Sequence, residues 1–312
     1  METIWDINNI YPIHKSVLTV GTFDGIHKGH QQIIAELVRR AHIAGAKSML
    51  VTFEPHPGLV IGHKGKDIPL TLLTTIEEKI AVLESLGLDR LVVTNFTSAF
   101  AAMTAEEFVK KILIEKLNML EMVIGHDHSF GKNRRGNIDL LRKMAKELNF
   151  KVDALEAVDE SEQVISSTLI RKLLTEGKVE QTGKLIGREY SITGQVVRGD
   201  GRGTHLGYPT ANIKPYSQYK LVPHEGVYAT RIRVDDEIHK AVTYIGPRPT
   251  FNLSKKVIEA HIYDFDRDIY NKPVELWFTR FIRDDIKFNS AEELLPQIKN
   301  DKETAFEILK HM

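Results

Sequence analysis

The chain has no cysteine among its 312 residues. Disulfides, iron–sulfur clusters and thiol nucleophiles are therefore excluded. It has no surplus of either charge: 42 basic residues balance 42 acidic ones, for a formal net charge of zero. A general nucleic-acid or anionic-membrane binder needs a basic face, which such a balance does not supply. The local cluster Lys132-Asn-Arg-Arg135 is too short to form a groove. No apolar run approaches the roughly 20 residues of a membrane span. The first residues, Met1-Glu-Thr-Ile-Trp-Asp6, carry neither a basic n-region nor an apolar h-region. No secretory signal is read there, and a cytoplasmic protein is expected. Internal repeats and low-complexity tracts are also lacking. What remains is ordinary globular composition, 42% apolar and 27% charged, with length for about two domains at roughly 150 residues each.

Two rhythms divide the chain. From about residue 16 to 180, strands read at 16–21, 48–54, 90–95, 121–125 and 151–155 alternate with helices at 29–44, 75–86, 104–117, 137–148 and 167–176. Thr104 with Glu107 reads as a capping box, and Asn137 and Ser167 as simple N-caps. Such alternation implies an α/β, Rossmann-like parallel sheet covered on both faces, with ligands beyond the carboxyl ends of the strands. From about 187, β-rich runs at 190–198, 226–234, 238–246, 256–265 and 273–283 suggest a small barrel or sandwich. A final helix near 290–310 opens on Ser290 and Glu293 as a second capping box. The expected domains are 1–186 and 187–312, with a hinge at Glu176–Gly187.

The segment Val17–His30, VLTVGTFDGIHKGH, carries the most chemistry. An apolar strand breaks at Gly21, and His27-Lys-Gly-His30 opens a helical pattern. Strand, turn and helix start together present backbone N–H groups and a positive helix end to a phosphate. Gly29 leaves room for a nucleotide near the backbone. A helix start that merely contains two histidines is the bland alternative. Zinc is disfavoured, since there is no cysteine and Asp24 precedes the turn without completing a ligand set. Phe53-Glu-Pro-His-Pro57 reads as a rigid turn with an even balance between a ligand role and none. Ile124–Gly136 packs glycines, histidines, an aspartate and basic residues into one loop, suited to phosphate or flavin contact, or simply a solvated basic loop. Ile165–Arg171 sets Ser167 and Thr168 at a helix start, with Arg171 one turn later. That suits a triphosphate, although an N-cap with a surface arginine is the commoner case.

Taken in order, GTFDGIHKGH, TFEPHP, GHDHSFG and ISSTLIR resemble the FAD synthetase module of the prokaryotic bifunctional riboflavin kinase/FMN adenylyltransferase family. The second half resembles its kinase partner through Gly194–Ile213 (GQVVRGDGRGTHLGYPTANI), Gly226-Val-Tyr-Ala229, Ile245–Thr250 and Glu259–Phe265. The resemblance implies ATP-dependent phosphorylation of riboflavin to FMN, and adenylylation of FMN to FAD with release of pyrophosphate. It implies a six-stranded β-barrel with a terminal helix for the second domain. It assigns His27 and His30 to the phosphates and the transition state, and Glu259 as general base. ATP is given Gly21, Phe23, Asp24, Gly29, Ser167, Thr168 and Arg171 in the first domain, and Gly199, Gly201, Gly203 and Thr210 in the second. Pro55, His56, Pro57 and Asp127 would line the flavin, while Thr210 and Asn212 would hold Mg²⁺ carried with ATP. No nucleic-acid or membrane partner is implied.

Three departures from the family pattern stand out. His128 replaces a phenylalanine, Asn271 a glycine, and Tyr244 and Pro247 flank Gly246 where a less rigid loop is usual. Three other readings stay open. One is an adenylyltransferase with a weak or inactive kinase module. Another is a different HxGH enzyme, such as a cytidylyltransferase or pantetheine-phosphate adenylyltransferase, which would not need the second half. The third is a flavin-sensing regulator without turnover, against which His27, His30, Asn212 and Glu259 argue.

Overall fold

The computed structural model describes the chain apart from residues 8, 9, 11–13, 63–69, 126–129, 132–135, 157, 158, 161, 162, 200, 202, 204, 205, 248–255, 311 and 312. It divides into two compact units, Met1–Ser166 and Ser167–Met312.

The first unit is built on a six-stranded sheet of order β1-β4-β3-β2-β5-β6, every neighbouring pair parallel. Its strands are β1 Glu2–Trp5, β2 Ser16–Val20, β3 Lys47–Glu54, β4 Arg90–Asn95, β5 Met119–Gly125 and β6 Lys151–Leu155. The helices are α1 Lys28–Ile43, α2 Pro57–Val60, α3 Ile76–Ser85, α4 Ser98–Ala101, α5 Ala105–Glu107 and α6 Ile138–Leu148. A small ribbon, β7 Asp159–Glu160 and β8 Gln163–Val164, follows.

Strand alternation builds two cores. Leu18, Val20, Met49, Val51, Val92, Met122 and Ile124 pack with Phe108, Leu113, Leu141 and Met144 on one face. Val17, Leu50, Leu91, Val93 and Val123 pack with Ile34, Leu37 and Leu83 on the other. β2 is buried along its whole length, as a central parallel strand covered by helices must be. Strand order reverses at β2, with β3, β4 and β1 on one side and β5 and β6 on the other. That makes the carboxyl ends of β2 and β5 a topological switch point, where open α/β sheets bind ligands.

Local structure departs from expectation in several places. β1 is an unexpected edge strand. The helix read over 104–117 keeps its Thr104–Glu107 capping box but widens into a π-helical stretch at Phe108–Ile114. Asn137 caps α6 through the Leu140 N–H.

The second unit opens with α7 Ser167–Thr175 and α8 Val179–Ile186, so Ser167 is the first helical residue and not the cap. The segment expected to be a hinge contains α8. Its Val179, Thr182 and Ile186 are buried, and it packs on the barrel strands. The compact units therefore divide between Ser166 and Ser167, ahead of the expected 186/187 boundary.

The barrel is closed and antiparallel throughout, in the order β10-β13-β12-β11-β14-β9. Its strands are β9 Tyr190–Val197, β10 Ala211–Pro215, β11 Gly226–Val234, β12 Glu237–Pro247, β13 Lys256–Ile262 and β14 Pro273–Arg283. Burial alternates along β9 and β13, as a filled small barrel demands. α9, Ala291–Leu309, covers the barrel through Ala305 and Leu309 against Ala229 and Tyr263. Ser290 caps it through the Glu293 N–H. Glu293 reaches the Asn289 N–H and not that of Ser290, so the reciprocal box is half made. No helix among the described residues is long and apolar enough to cross a membrane.

α9 is also fastened electrostatically. Arg283 donates to Asp301 through Nε at 2.9 Å and Nη2 at 2.7 Å, and Gln297 adds a bond at 2.8 Å. Asp301 is only 4% exposed. Asp301→Ala strands a partly buried guanidinium and is expected to cost about 3 kcal/mol. Calorimetry should read this as a lowered unfolding temperature for the barrel unit, and an unchanged temperature would show that α9 docks without the pair.

Candidate active sites

After β2 the chain turns through three residues of positive φ: Phe23 at 46°, Gly25 at 86° and Ile26 at 39°. Ile26 is β-branched and fully buried, so its left-handed backbone is strained by order 1–3 kcal/mol. Asp24 holds this turn in place. Its carboxylate accepts from the Leu73 N–H (3.0 Å), the Thr74 N–H (3.0 Å) and the Thr74 hydroxyl (3.3 Å). The Gly25 N–H donates to Thr74 Oγ1 at 3.1 Å. Asp24, expected among the ATP ligands, thus has a structural task. Gly21 lies against the Phe23 ring, which a Cβ would meet at 3.0 Å.

His27 is the N-cap of α1, its Nδ1 accepting from the His30 N–H at 3.4 Å. The two imidazoles stack with centroids 3.7 Å apart, and Phe23 lies 4.5 Å from His30 on its ring centroid. The His30 Nδ1 is buried without a hydrogen-bond partner. Burial above all, then His27 and Lys79, holds His30 well below the ordinary imidazole range, so it is uncharged near neutrality. Gly29 lies in the first turn of α1 between the two histidines. The loop emerges at the switch point, with a positive helix end and two stacked imidazoles around it.

His56 caps α2, its Nδ1 accepting from the Gly58 N–H at 3.0 Å, between Pro55 and Pro57. This gives the His56 turn a local structural reason. Near it runs a row of rings that the sequence motifs do not announce. Phe53, Phe96 and Phe100 have mutual centroid distances of 5.4, 5.7 and 5.8 Å, and the row continues through Phe108 to Phe130. It follows the carboxyl ends of β3, β4 and β5. Asp127 and His128 lie outside the described residues. Ser167, Thr168 and Arg171 lie on α7 in the second unit.

In the barrel, Asn212 on β10 stands in register between Val197 of β9 and Glu259 of β13. Thr210 donates to Glu259 Oε2 at 3.3 Å. Thr210, Asn212 and Glu259 are thereby gathered across 49 residues of sequence. The glycines around them differ in purpose. A Cβ on Gly199 would lie 2.2 Å from the Asn212 amide nitrogen, and one on Gly203 would lie 2.4 Å from the Tyr208 carbonyl. Gly201 has φ +70° and faces open space, so its need is for backbone freedom. Gly199→Ala should therefore displace the Asn212 amide and lower any turnover that depends on it tenfold or more, on the scale of about 1 Å misplacements in active sites. Steady-state kinetics on the full chain tests this, and an unchanged rate would show that Asn212 can move without loss.

Two further residues brace this site. The His261 ring Nδ1 lies 2.9 Å from the Pro209 carbonyl and pins the approach to Thr210. Tyr244 pairs with Glu259 across β12 and β13, and its hydroxyl donates to Asp285 at 3.1 Å. Burial first, then Asp285, Glu259 and Glu225, raise the Tyr244 phenol well above its usual range, so it stays protonated. Tyr244–Pro247, read as a loop, belongs to β12 as far as its Lys256 pairing. Asn271 has φ 63°, which explains a glycine at this position in the family and the tolerance of asparagine.

Thr210 and Asn212 offer neutral, hard oxygens beside a carboxylate. No group of three or more His, Cys, Asp or Glu side chains among the described residues forms a protein-only metal cage. That donor set fits Mg²⁺, which keeps much of its shell for water and phosphate.

A family model described as FAD synthetase matches residues 11–169, and one described as riboflavin kinase matches residues 186–309. A bifunctional riboflavin kinase/FMN adenylyltransferase from Buchnera aphidicola subsp. Schizaphis graminum is 37% identical over 309 residues, covering 97% of each chain. The protein of that name from Bacillus subtilis is 35% identical over 303 residues, 96% of this chain and 94% of the relative. A Streptococcus pneumoniae crystal structure described as a macrolide-efflux protein superposes with a TM-score of 0.87 at 30% identity, covering 98% and 99% of the two chains. With both family models in tandem and such relatives aligned along nearly its whole length, the chain belongs to the bifunctional riboflavin kinase/FMN adenylyltransferase family.

Proposed function

We propose that this chain phosphorylates riboflavin to FMN in its barrel and adenylylates FMN to FAD on its parallel sheet, using ATP in both steps. The observation that carries the reading is the stacked His27–His30 pair capping α1 at the switch point of the sheet. In the adenylyl step an FMN phosphate oxygen attacks the ATP α-phosphorus, and the bond to pyrophosphate breaks. No residue need form a covalent intermediate, so alignment and charge stabilisation dominate. His27, His30, Gly29 and the first N–H groups of α1 meet the phosphates, with Gly21 and Phe23 shaping the turn. The phenylalanine row and the Pro55–Pro57 turn supply an apolar face for a planar flavin ring. Asp127 is assigned to the flavin, and Ser167, Thr168 and Arg171 to ATP, on the resemblance of their motifs.

In the kinase step Glu259 takes the proton from the ribityl 5′-hydroxyl, whose oxygen attacks the γ-phosphorus while ADP leaves. Thr210 orients the Glu259 carboxylate, and Asn212 faces the same group. Thr210 and Asn212 would hold Mg²⁺, which when bound offsets phosphate charge. Gly199, Gly201 and Gly203 form the loop that approaches the nucleotide. The assignment of labour is residues 1–186 to adenylylation and 187–312 to phosphorylation.

Incubating the full chain with riboflavin, Mg²⁺ and ATP, then separating flavins by chromatography, tests both steps. FMN should appear first and FAD follow. FAD formed from FMN, with none from riboflavin, would leave an adenylyltransferase with a silent kinase module.

A further inference from the structure

Lys79 occupies an unfavourable place for a cation. It is 5% exposed, and it lies in the first turn of α3, four residues after the Thr75 cap. Burial removes its hydration, and the positive end of the helix dipole repels it. A leucine or methionine would cover the sheet at less cost. The lysine instead makes two hydrogen bonds toward the HxGH turn. Its Nζ donates to the Thr22 carbonyl at 2.7 Å and to Thr52 Oγ1 at 3.1 Å. The Thr52 hydroxyl also donates to the Thr22 carbonyl, at 3.4 Å. Thr22 is the residue between Gly21 and the left-handed Phe23, where the strained turn begins.

We propose that Lys79 is a positioning residue for adenylyl transfer, fixing through Thr22 the turn that carries His27 and His30 and keeping a positive charge behind them. The inference rests on the reading of this turn as the adenylyl site. The titratable groups facing His30 are His27 from its own helix and Lys79 from α3. Those facing Lys79 are Asp24 from the turn and Glu54 from β3, and Glu54 is opposed in turn by Glu77. Burial weakens Lys79 as a base, and Asp24 and then Glu54 act against that loss. The ammonium opposes protonation of His30, whose buried Nδ1 has no hydrogen-bond partner. His30 therefore meets an incoming polyphosphate uncharged, in a geometry set by the turn.

The test uses the full chain as Lys79→Met, Lys79→Arg and His30→Ala, with FMN and Mg²⁺–ATP as substrates. Riboflavin phosphorylation reports on the integrity of the other unit. Lys79→Met should lower kcat for adenylylation by roughly 10–100-fold, the scale of a small misplacement, with a smaller change in KM. Its His30 imidazole, followed by NMR, should titrate at a higher pH than in the wild type once the neighbouring cation is gone. Lys79→Arg should restore much of both. Unchanged adenylylation and unchanged His30 titration in Lys79→Met overturn the inference. If His30→Ala is impaired while Lys79→Met is not, only the role of Lys79 fails. If His30→Ala runs at the wild-type rate, the site reading fails and this inference with it. Should Lys79→Met unfold the first unit, Lys79→Gln, which keeps a hydrogen-bond donor and removes the charge, takes its place: slower adenylylation with His30 titrating above its wild-type position supports the inference, and no change in either overturns it.

Discussion

Replacing His30 by alanine should slow the conversion of FMN to FAD by roughly 10²–10³-fold, the usual scale for one lost transition-state donor. Riboflavin phosphorylation should keep its wild-type rate, because Glu259, Thr210 and Asn212 belong to the other unit. The His30 ring stacks on His27 and contacts Phe23. Its loss therefore removes a group proposed to meet the phosphates and leaves the Asp24 bonds that hold the turn. His27 needs a subtler variant. Its Nδ1 caps α1, so His27→Ala combines a catalytic loss with a cap loss of about 1 kcal/mol. His27→Asn keeps a good cap and removes the imidazole, and it should show a comparable rate loss with little change in stability. Measured on FAD formation from FMN, a wild-type rate in both variants would remove the adenylyl site from this turn.

The second large effect is expected in the barrel. Glu259→Gln preserves the shape of the side chain and an oxygen for Thr210 to bond, while removing the base. Turnover of riboflavin should fall by about 10²–10⁴-fold, with ATP still bound. Asn212→Ala should behave differently. It leaves the base and removes an oxygen proposed for the metal, so nucleotide binding weakens and excess Mg²⁺ restores part of it. Initial rates over a range of ATP and Mg²⁺ separate the two patterns. Near-normal kcat in Glu259→Gln would mean that the hydroxyl proton leaves by another route.

The large-scale plan was legible because it is written in periodicity. Five of the six strands of the sheet follow from apolar runs, and the change of rhythm near 187 announces the barrel. β1 escapes because it is a four-residue edge strand with no fully buried side chain. β10 escapes because only Ile213 of its five residues is buried, so no alternation is visible. α8 hides because one of its buried positions is Thr182, which does not read as core. At the sites, motifs bring residues close in sequence into view, and the ladder adds those that are distant. Tyr244 and His261 brace Glu259 and Pro209 only once β10, β12 and β13 pair. Lys79 gives no signal, since a lysine in an amphipathic helix reads as a solvated charge. Its meaning depends on two acceptors 57 and 27 residues away.

The strand that makes the barrel continuous is also its shortest. β10 meets β13 in register through Ala211↔Ala260 and Asn212↔Glu259, whereas β12 pairs with β13 from Ala241 to Pro247. A seam with so few ladder bonds is where local opening costs least. Asn212 and Glu259, the groups proposed to bind metal and to act as base, are sewn into that seam. A nucleotide drawn to Asn212 and Glu259 would act as its last stitch, lending binding free energy to the closure of the whole cylinder. Amide protons along β10 would then exchange on the rhythm of substrate arrival and departure, while those of β11 and β14 keep the time of global unfolding.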